Sequence, residues 1–134
     1  MAYFRLVVAA AVAVILAGCE SAPIKAMQQD FRDLFQTHKG GPDLASGIKQ
    51  YEDGNYSEAA RLLQSSLDQG LGRTDQVRAH KYLAFIHCAS GRERRCRDEF
   101  RAALKIDPSF ELAANEAGHP IWGPAFRSVK KDPQ

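Results

Sequence analysis

The chain lacks most of what marks a catalyst or a nucleic-acid binder. Its 134 residues hold no glycine-rich phosphate loop, no G-x-S-x-G elbow and no H-E-x-x-H pair, so phosphoryl transfer, serine hydrolysis and zinc proteolysis have no recognisable seat. Acidic residues are scattered along polar faces rather than paired. The net charge of +2 is too small to expect a nucleic-acid partner. There are only three cysteines and no C-x-x-C, which removes the usual redox motif and leaves little for a cysteine-based metal site. No apolar run reaches the roughly 20 residues of a membrane-spanning helix, and no stretch alternates apolar and polar residues as a half-buried strand does. The sequence therefore implies no cofactor, no metal, no small-molecule substrate and no enzyme. A metal-dependent enzyme built on the histidines stays as a remote alternative, which stoichiometric zinc in the purified protein would revive.

What is present begins at the N-terminus. Arg5 is the only charge before Glu20, and Leu6 to Leu16 reads LVVAAAVAVIL, eleven apolar residues. That length suits the apolar region of an export signal rather than a membrane span. Leu16-Ala17-Gly18-Cys19 follows, and it resembles the lipobox of bacterial lipoproteins, in which the signal is cut just before the cysteine. The resemblance implies a signal peptide over residues 1–18 and lipidation of Cys19, with diacylglycerol on the sulfur and a further acyl chain on the amine. Two or more buried chains make a stable anchor. Glu20 stands where Asp is that family's usual inner-membrane retention signal, so the implied location is the outer membrane, facing the periplasm.

Residues 19–42 then read as a lipidated tether and an amphipathic helix. Ile24, Met27, Phe31, Leu34 and Phe35 form its apolar stripe, and Gly40-Gly41-Pro42 is expected to end it. Beyond it, helices alternate with glycine turns. Asp43 to Asp53 predicts one helix, with Leu44, Ile48 and Tyr51 on one face. Ser57 is expected to cap a second, carrying Ala60, Leu63 and Leu67. Leu71 to Arg73 reads as a loop, and Thr74 or Asp75 as the cap of a third helix through Val77, Leu83, Ala84, Ile86 and Cys88. Ser90-Gly91 turns the chain into a fourth, with Cys96, Phe100, Ala103 and Leu104 inward and Pro108 at its end.

These elements repeat. Gly54 and Gly91 are 37 residues apart, as are Ala59 and Cys96, Leu63 and Phe100, and Leu67 and Leu104. Each unit is a helical hairpin that must stack to bury its face. The second unit resembles the tetratricopeptide repeat. Cys96, Phe100, Ala103-Leu104 and Pro108 follow that family's second-helix pattern, and His80, Leu83, Ala84 and His87 stand in its Trp, Leu, Gly and Tyr slots. The first unit has Gly54-Asn55-Tyr56, Ala59, Leu63 and Leu67 but no terminal proline, and the period exceeds the family's usual length of about 34. The resemblance implies an all-α fold: two repeats over residues 43–110, a short solenoid flanked by capping helices, and a capping segment over residues 111–134. In that segment Ser109 is expected to cap a short helix through Phe110, Leu112 and Ala113. Pro124 suits the first turn of a last helix bearing Phe126 and Val129. Trp122 has two readings, core at the solenoid's end or an exposed hook.

In the repeat family the first helices line a concave groove that holds a segment of a partner. The matching positions here are Leu44, Ile48, Tyr51, Glu52, Arg78, Lys81 and Phe85. The resemblances together imply an outer-membrane-anchored interaction module that binds an envelope protein, an accessory subunit of an envelope machine such as type VI secretion. A structural spacer and a pilotin-like assembly factor are the alternatives.

The segment His87 to Cys96, HCASGRERRC, stays open at this level. Cys88 and Cys96 lie on either side of the Ser90-Gly91 turn. Antiparallel helices bring such positions within reach of a disulfide, which needs Cα atoms within about 7 Å; two buried free thiols are the other reading. His80 and His87 share a helix face, and packing explains them more simply than a zinc site does. Arg92, Arg94, Arg95, Arg97 and Arg101 interleave with Glu93, Asp98 and Glu99. That pattern fits a solvated face first, and contact with anionic headgroups or an acidic partner second. His38 and His119 have no assignable partner.

Overall fold

A computed structural model describes residues 38–132. The expected signal peptide, Cys19 and the expected Ile24–Phe35 stripe lie outside the described residues. Within them the chain is all-helical: α1 (Gly41–Glu52), α2 (Tyr56–Gln69), α3 (Arg73–Ala89), α4 (Glu93–Ile106), the short α5 (Ala114–Ala117) and α6 (Trp122–Lys131). α1 with α2 and α3 with α4 form two stacked helical hairpins, and α5 with α6 folds back over the second.

Several helix starts differ from the cap residues expected above. α1 begins at Gly41 rather than Asp43, with Pro42 in its first turn, where a missing N–H costs nothing. Gly40-Gly41-Pro42 therefore opens this helix. α2 is preceded by Asn55 rather than Ser57, and α3 by Gly72 rather than Thr74 or Asp75, with no side-chain cap at either. Asn55 and Gly72 are fixed by their surroundings: the side-chain amide of Asn55 donates to Gln50 at 2.8 Å, and Gly72 lies against the His38 ring. Residues Phe110 to Ala113 are not helical. Asp107 accepts both the amide and the hydroxyl of Ser109, and these bonds hold its carboxyl below the usual range. This turn spends Ser109 as a cap, so the short helix starts later, where Glu116 accepts the Ala113 N–H at 3.0 Å.

The core has two lobes that share α3. Leu44, Ile48, Ala59, Leu63, Leu71, Leu83 and Ile86 fill the first, between the hairpins. Ala84, Phe85, Cys88, Cys96, Phe100, Leu104, Leu112, Phe126 and Val129 fill the second, between the second hairpin and the C-terminal segment. Phe100 is fully buried, with its ring at right-angled contact distance from Phe85 (6.1 Å) and Phe126 (5.2 Å).

At the end opposite the hairpin turns, Gly40 donates to the Gly70 carbonyl at 3.1 Å. A Cβ on Gly40 would collide with the Ser66 carbonyl oxygen and sit 2.9 Å from that of Gly70. Both obstacles are backbone and cannot rotate away. Gly40→Ala is expected to lower stability by about 1–3 kcal/mol, read as a lower denaturant midpoint at unchanged slope; an unchanged midpoint would show that α1 can pull back from Gly70.

Candidate functional site

The expected groove is only partly a surface. Leu44 and Ile48 are 3% and 9% exposed and belong to the core between α1 and α2. Phe85 is 2% exposed, covered by Trp122, whose ring stacks on it at 4.5 Å. These three residues are corrected from groove lining to core. For Leu44 and Ile48 the reason is helical: with Tyr51 they make the single apolar stripe of α1, and that stripe faces α2 and α3. For Phe85 it is the C-terminal segment, which occupies the face of α3 left open in a bare pair of hairpins. Trp122 is thereby packed against the core while staying part-exposed, its indole N–H donating to the Glu116 carbonyl at 3.0 Å.

What remains is a half-buried aromatic strip along α1 and α3. The Tyr51 ring lies 5.5 Å from Tyr56, 5.1 Å from Tyr82 and 6.3 Å from Phe85. Lys81 sits over the Tyr82 ring at 4.9 Å and pairs with Glu116 at 2.7 Å, both side chains mostly covered. Burial pushes the Tyr51 hydroxyl up to about 12, helped by Tyr56, Tyr82 and the Glu116 carboxylate, so it stays a neutral hydrogen-bonding group. Glu52 and Arg78 are exposed at the rim, and Arg78 is engaged with Asp75 of its own helix at 3.1 Å. The structure therefore unites Tyr51, Lys81 and Phe85 and leaves Glu52 and Arg78 outside. Tyr82, Glu116 and Trp122 complete the strip without having been placed in it. Tyr82 was readable, since it lies three residues before Phe85 and one after Lys81 on the same helix. Glu116 was not, because only the return of the C-terminal segment brings it to Lys81.

At the turn of the second hairpin, Cys88 and Cys96 are joined by a disulfide with Cα atoms 5.0 Å apart. Gly91 holds the turn with φ +71°, as Gly54 does in the first hairpin with φ +82°, a backbone region that favours glycine. The histidines are separated by function as packing groups. Nδ1 of His80 meets the Glu99 carboxylate across α3 and α4 at 2.7 Å. His87 is buried with no hydrogen-bond partner on Nδ1; burial, then Arg92 and to a lesser degree Arg95, hold it below its ordinary value. The His119 ring lies flat on Trp122. No three His, Cys, Asp or Glu side chains gather as a metal would require among the described residues. A cleft of about 290 Å³ opens between this turn and α6, lined by Cys88, Gly91, Arg97, Ile121, Pro124 and Ser128.

No family model matches the chain, and neither the curated proteins nor the solved structures yield a match.

Two outcomes follow from the turn. The bridge closes a short loop, and its removal in a Cys88→Ala, Cys96→Ala double variant is expected to cost about 2–3 kcal/mol, measured by denaturant unfolding against the oxidised protein. His87 is neutral in the fold, so between its folded value and the ordinary 6.5 the unfolded chain binds a proton that the folded chain refuses. Its contribution to stability is complete above 6.5 and is lost as the pH falls below it. His87→Phe keeps a planar ring and removes the titration. The stability gap between wild type and variant should shift in the variant's favour from about pH 7.5 to 5.5, and parallel pH curves would rule this out.

Proposed function

We propose that the chain is a lipoprotein anchored in the bacterial outer membrane through Cys19, and that its helical hairpins bind another envelope protein from the periplasmic side. The observation that carries the binding role is the strip Tyr56–Tyr51–Tyr82: two tyrosines flank the Tyr51 ring on packed helices, with Tyr56 45% exposed. Aromatic side chains in a rigid frame are the usual anchors of an interface, because little side-chain freedom is lost when they bind. Glu52 and Arg78 at the rim supply charge of both signs to orient a partner. We assign no catalysis, cofactor, metal or nucleic acid to the chain. The type VI secretion apparatus is the machine whose small repeat-bearing lipoproteins it resembles in size and layout.

A second reading has its own support. The C-terminal segment covers Phe85 and engages Lys81, which narrows the open face, and a domain so closed also suits a structural spacer or a pilotin-like assembly factor. Tyr51→Ala with Tyr82→Ala separates the two. The binding module loses its crosslinked partner from native membranes, at least tenfold if each ring is a hot spot of about 1–2 kcal/mol; the spacer keeps it. Cys19→Ser should move the protein from the membrane to the soluble fraction, and its retention on the membrane would defeat the anchor.

A further inference from the structure

The disulfide-closed turn carries a charge pattern that the aromatic strip does not use. Of the basic residues on α4, Arg97 pairs with Glu93 at 3.6 Å and Arg101 with Asp98 at 3.0 Å, and Glu99 is taken by His80. Arg92, Arg94 and Arg95 are exposed and meet no carboxylate among the described residues. Arg92 reaches only the Ser90 hydroxyl, at 3.3 Å. All three fan around the start of α4, where a helix favours negative charge and where no side chain caps the free N–H groups. Their field reaches inward: Arg92 and Arg95 both oppose a proton on His87.

The same edge holds the apolar groups that stand out from the fold. Tyr56 and Ile121, at 45% and 51% exposure, are the exposed large hydrophobic residues among those described. Tyr56 sits at the turn of the first hairpin. α1 and α3 run side by side with their later halves in contact, Tyr51 against Tyr82 and Phe85, so both hairpin turns point the same way. Ile121 lines the cleft beside Cys88 and Gly91. The edge also carries carboxylates: Asp53 pairs with Lys49 at 2.8 Å and Glu58 with Arg61 at 2.6 Å, Glu93 in the Ile121 cleft lies 3.6 Å from Arg97, and Glu52 is exposed. Among the described residues, one unpaired carboxylate there stands against three unpaired guanidiniums, which leaves the edge basic.

We propose that this edge is a docking surface for an anionic phospholipid bilayer, with Arg92, Arg94 and Arg95 on headgroup phosphates and Ile121 in the interfacial layer. Guanidiniums match phosphate oxygens in pairs, and each basic group near an anionic surface adds to adsorption. An exposed aliphatic side chain at such a basic turn suits the boundary between headgroups and acyl chains, where an apolar body meets a polar rim. An acidic protein would satisfy the arginines but gives the protruding Ile121 no counterpart of its own. The disulfide fixes the turn, so little order has to be gained on docking. The inference rests on the envelope location proposed above only in that it requires a membrane within reach.

Trp122 is the only tryptophan in the chain and directly follows Ile121, which makes it the reporter. The full-length protein is mixed with vesicles of zwitterionic phosphatidylcholine, or of the same lipid with phosphatidylglycerol, each carrying brominated acyl chains. Flotation is scored alongside quenching of Trp122. Strong quenching is expected in the anionic vesicles alone. It should fall toward background in 0.5 M salt and in R92E/R94E/R95E, a shift of about 100-fold in the docked-to-undocked ratio. The carboxylates so introduced suit the start of a helix, and an unchanged melting curve confirms the fold. Ile121→Asp should weaken quenching while keeping its dependence on salt. Equal quenching in both vesicle types, or quenching that survives the triple variant, overturns the proposal. So does a triple variant that loses a crosslinked protein from native membranes when the wild type shows no vesicle quenching, since the edge would then meet an acidic partner. Flotation with both vesicle types but no quenching defeats the docking edge and spares the anchor. Flotation with anionic vesicles alone, with quenching, supports the edge and defeats the anchor.

Discussion

Everything in this structure follows from the burial of α3. Most helices of a small protein hide one stripe and leave the rest in water. α3 buries Leu83, Ala84, Phe85, Ile86, His87 and Cys88 in one unbroken run, which covers its whole circumference over more than a turn. Something must therefore pack on every side of it. Leu83 and Ile86 belong to the lobe filled by α1 and α2, Ala84 and Cys88 to the lobe filled by α4, and Phe85 to the face closed by Trp122. Burying a phenylalanine stabilises by about 1.5–3 kcal/mol, a large fraction of what holds a domain of this size together. Two hairpins alone would leave that side chain in water, so the C-terminal segment completes the core. Completion also has a cost, visible at His87, whose Nδ1 is buried without a partner beside the cationic turn.

The hairpins were legible because packing repeats with the chain. The 37-residue spacing that relates Leu63 to Phe100 and Ala59 to Cys96 relates side chains that are all fully buried. It also gives Ala84 and Ala103 small counterparts in the first hairpin, Gly47 and Ser66. Gly47 and Ala84 are 37 apart and both buried, and a Cβ on Gly47 would press on Leu63 at 2.9 Å. Ser66 stands in the place of Ala103, fully buried, and satisfies its hydroxyl on the Leu63 carbonyl at 2.7 Å, the local bond that lets serine sit inside a helix. The residues in excess of the usual repeat length are not idle loop. Leu71 is 5% exposed, and Gly70, with φ +98°, offers its carbonyl to Gly40. The expectation of helix caps failed for a related reason: those helix starts are held by tertiary contacts, and serine, threonine or aspartate at the right spacing was not needed.

The site was legible only by half. Tyr51, Lys81 and Phe85 were expected on one face, and they do meet. The repeat pattern implies an open groove, and what fills it in this chain comes from beyond the repeats. Nothing periodic announces that Asp107 and Ser109 will turn the chain, that residues 110–113 will run without helix, or that Glu116 will arrive at Lys81 and Trp122 at Phe85. A resemblance between repeats carries the positions of a groove; it does not carry the occupancy of that groove, which depends on the residues outside the match.

This occupancy displaces function as well as solvent. A stack that covers Phe85 and Lys81 with its own C-terminal segment has less of that face to offer a partner. The closing segment does something else with its path: to lay Trp122 on Phe85 it must bring Ile121 to the turn between α3 and α4, against Cys88 and Gly91. An aliphatic side chain 51% exposed is not required by the packing of Trp122, and arginines at 92, 94 and 95 are not required by a helix start, which would be better served by carboxylates. Each feature runs against the local preference of its position, and the two are adjacent. Where local preference is overruled twice at one place without a gain to the core, the gain is to be sought outside the molecule. The edge of the stack, rather than the groove alone, is then the surface through which this fold meets its surroundings.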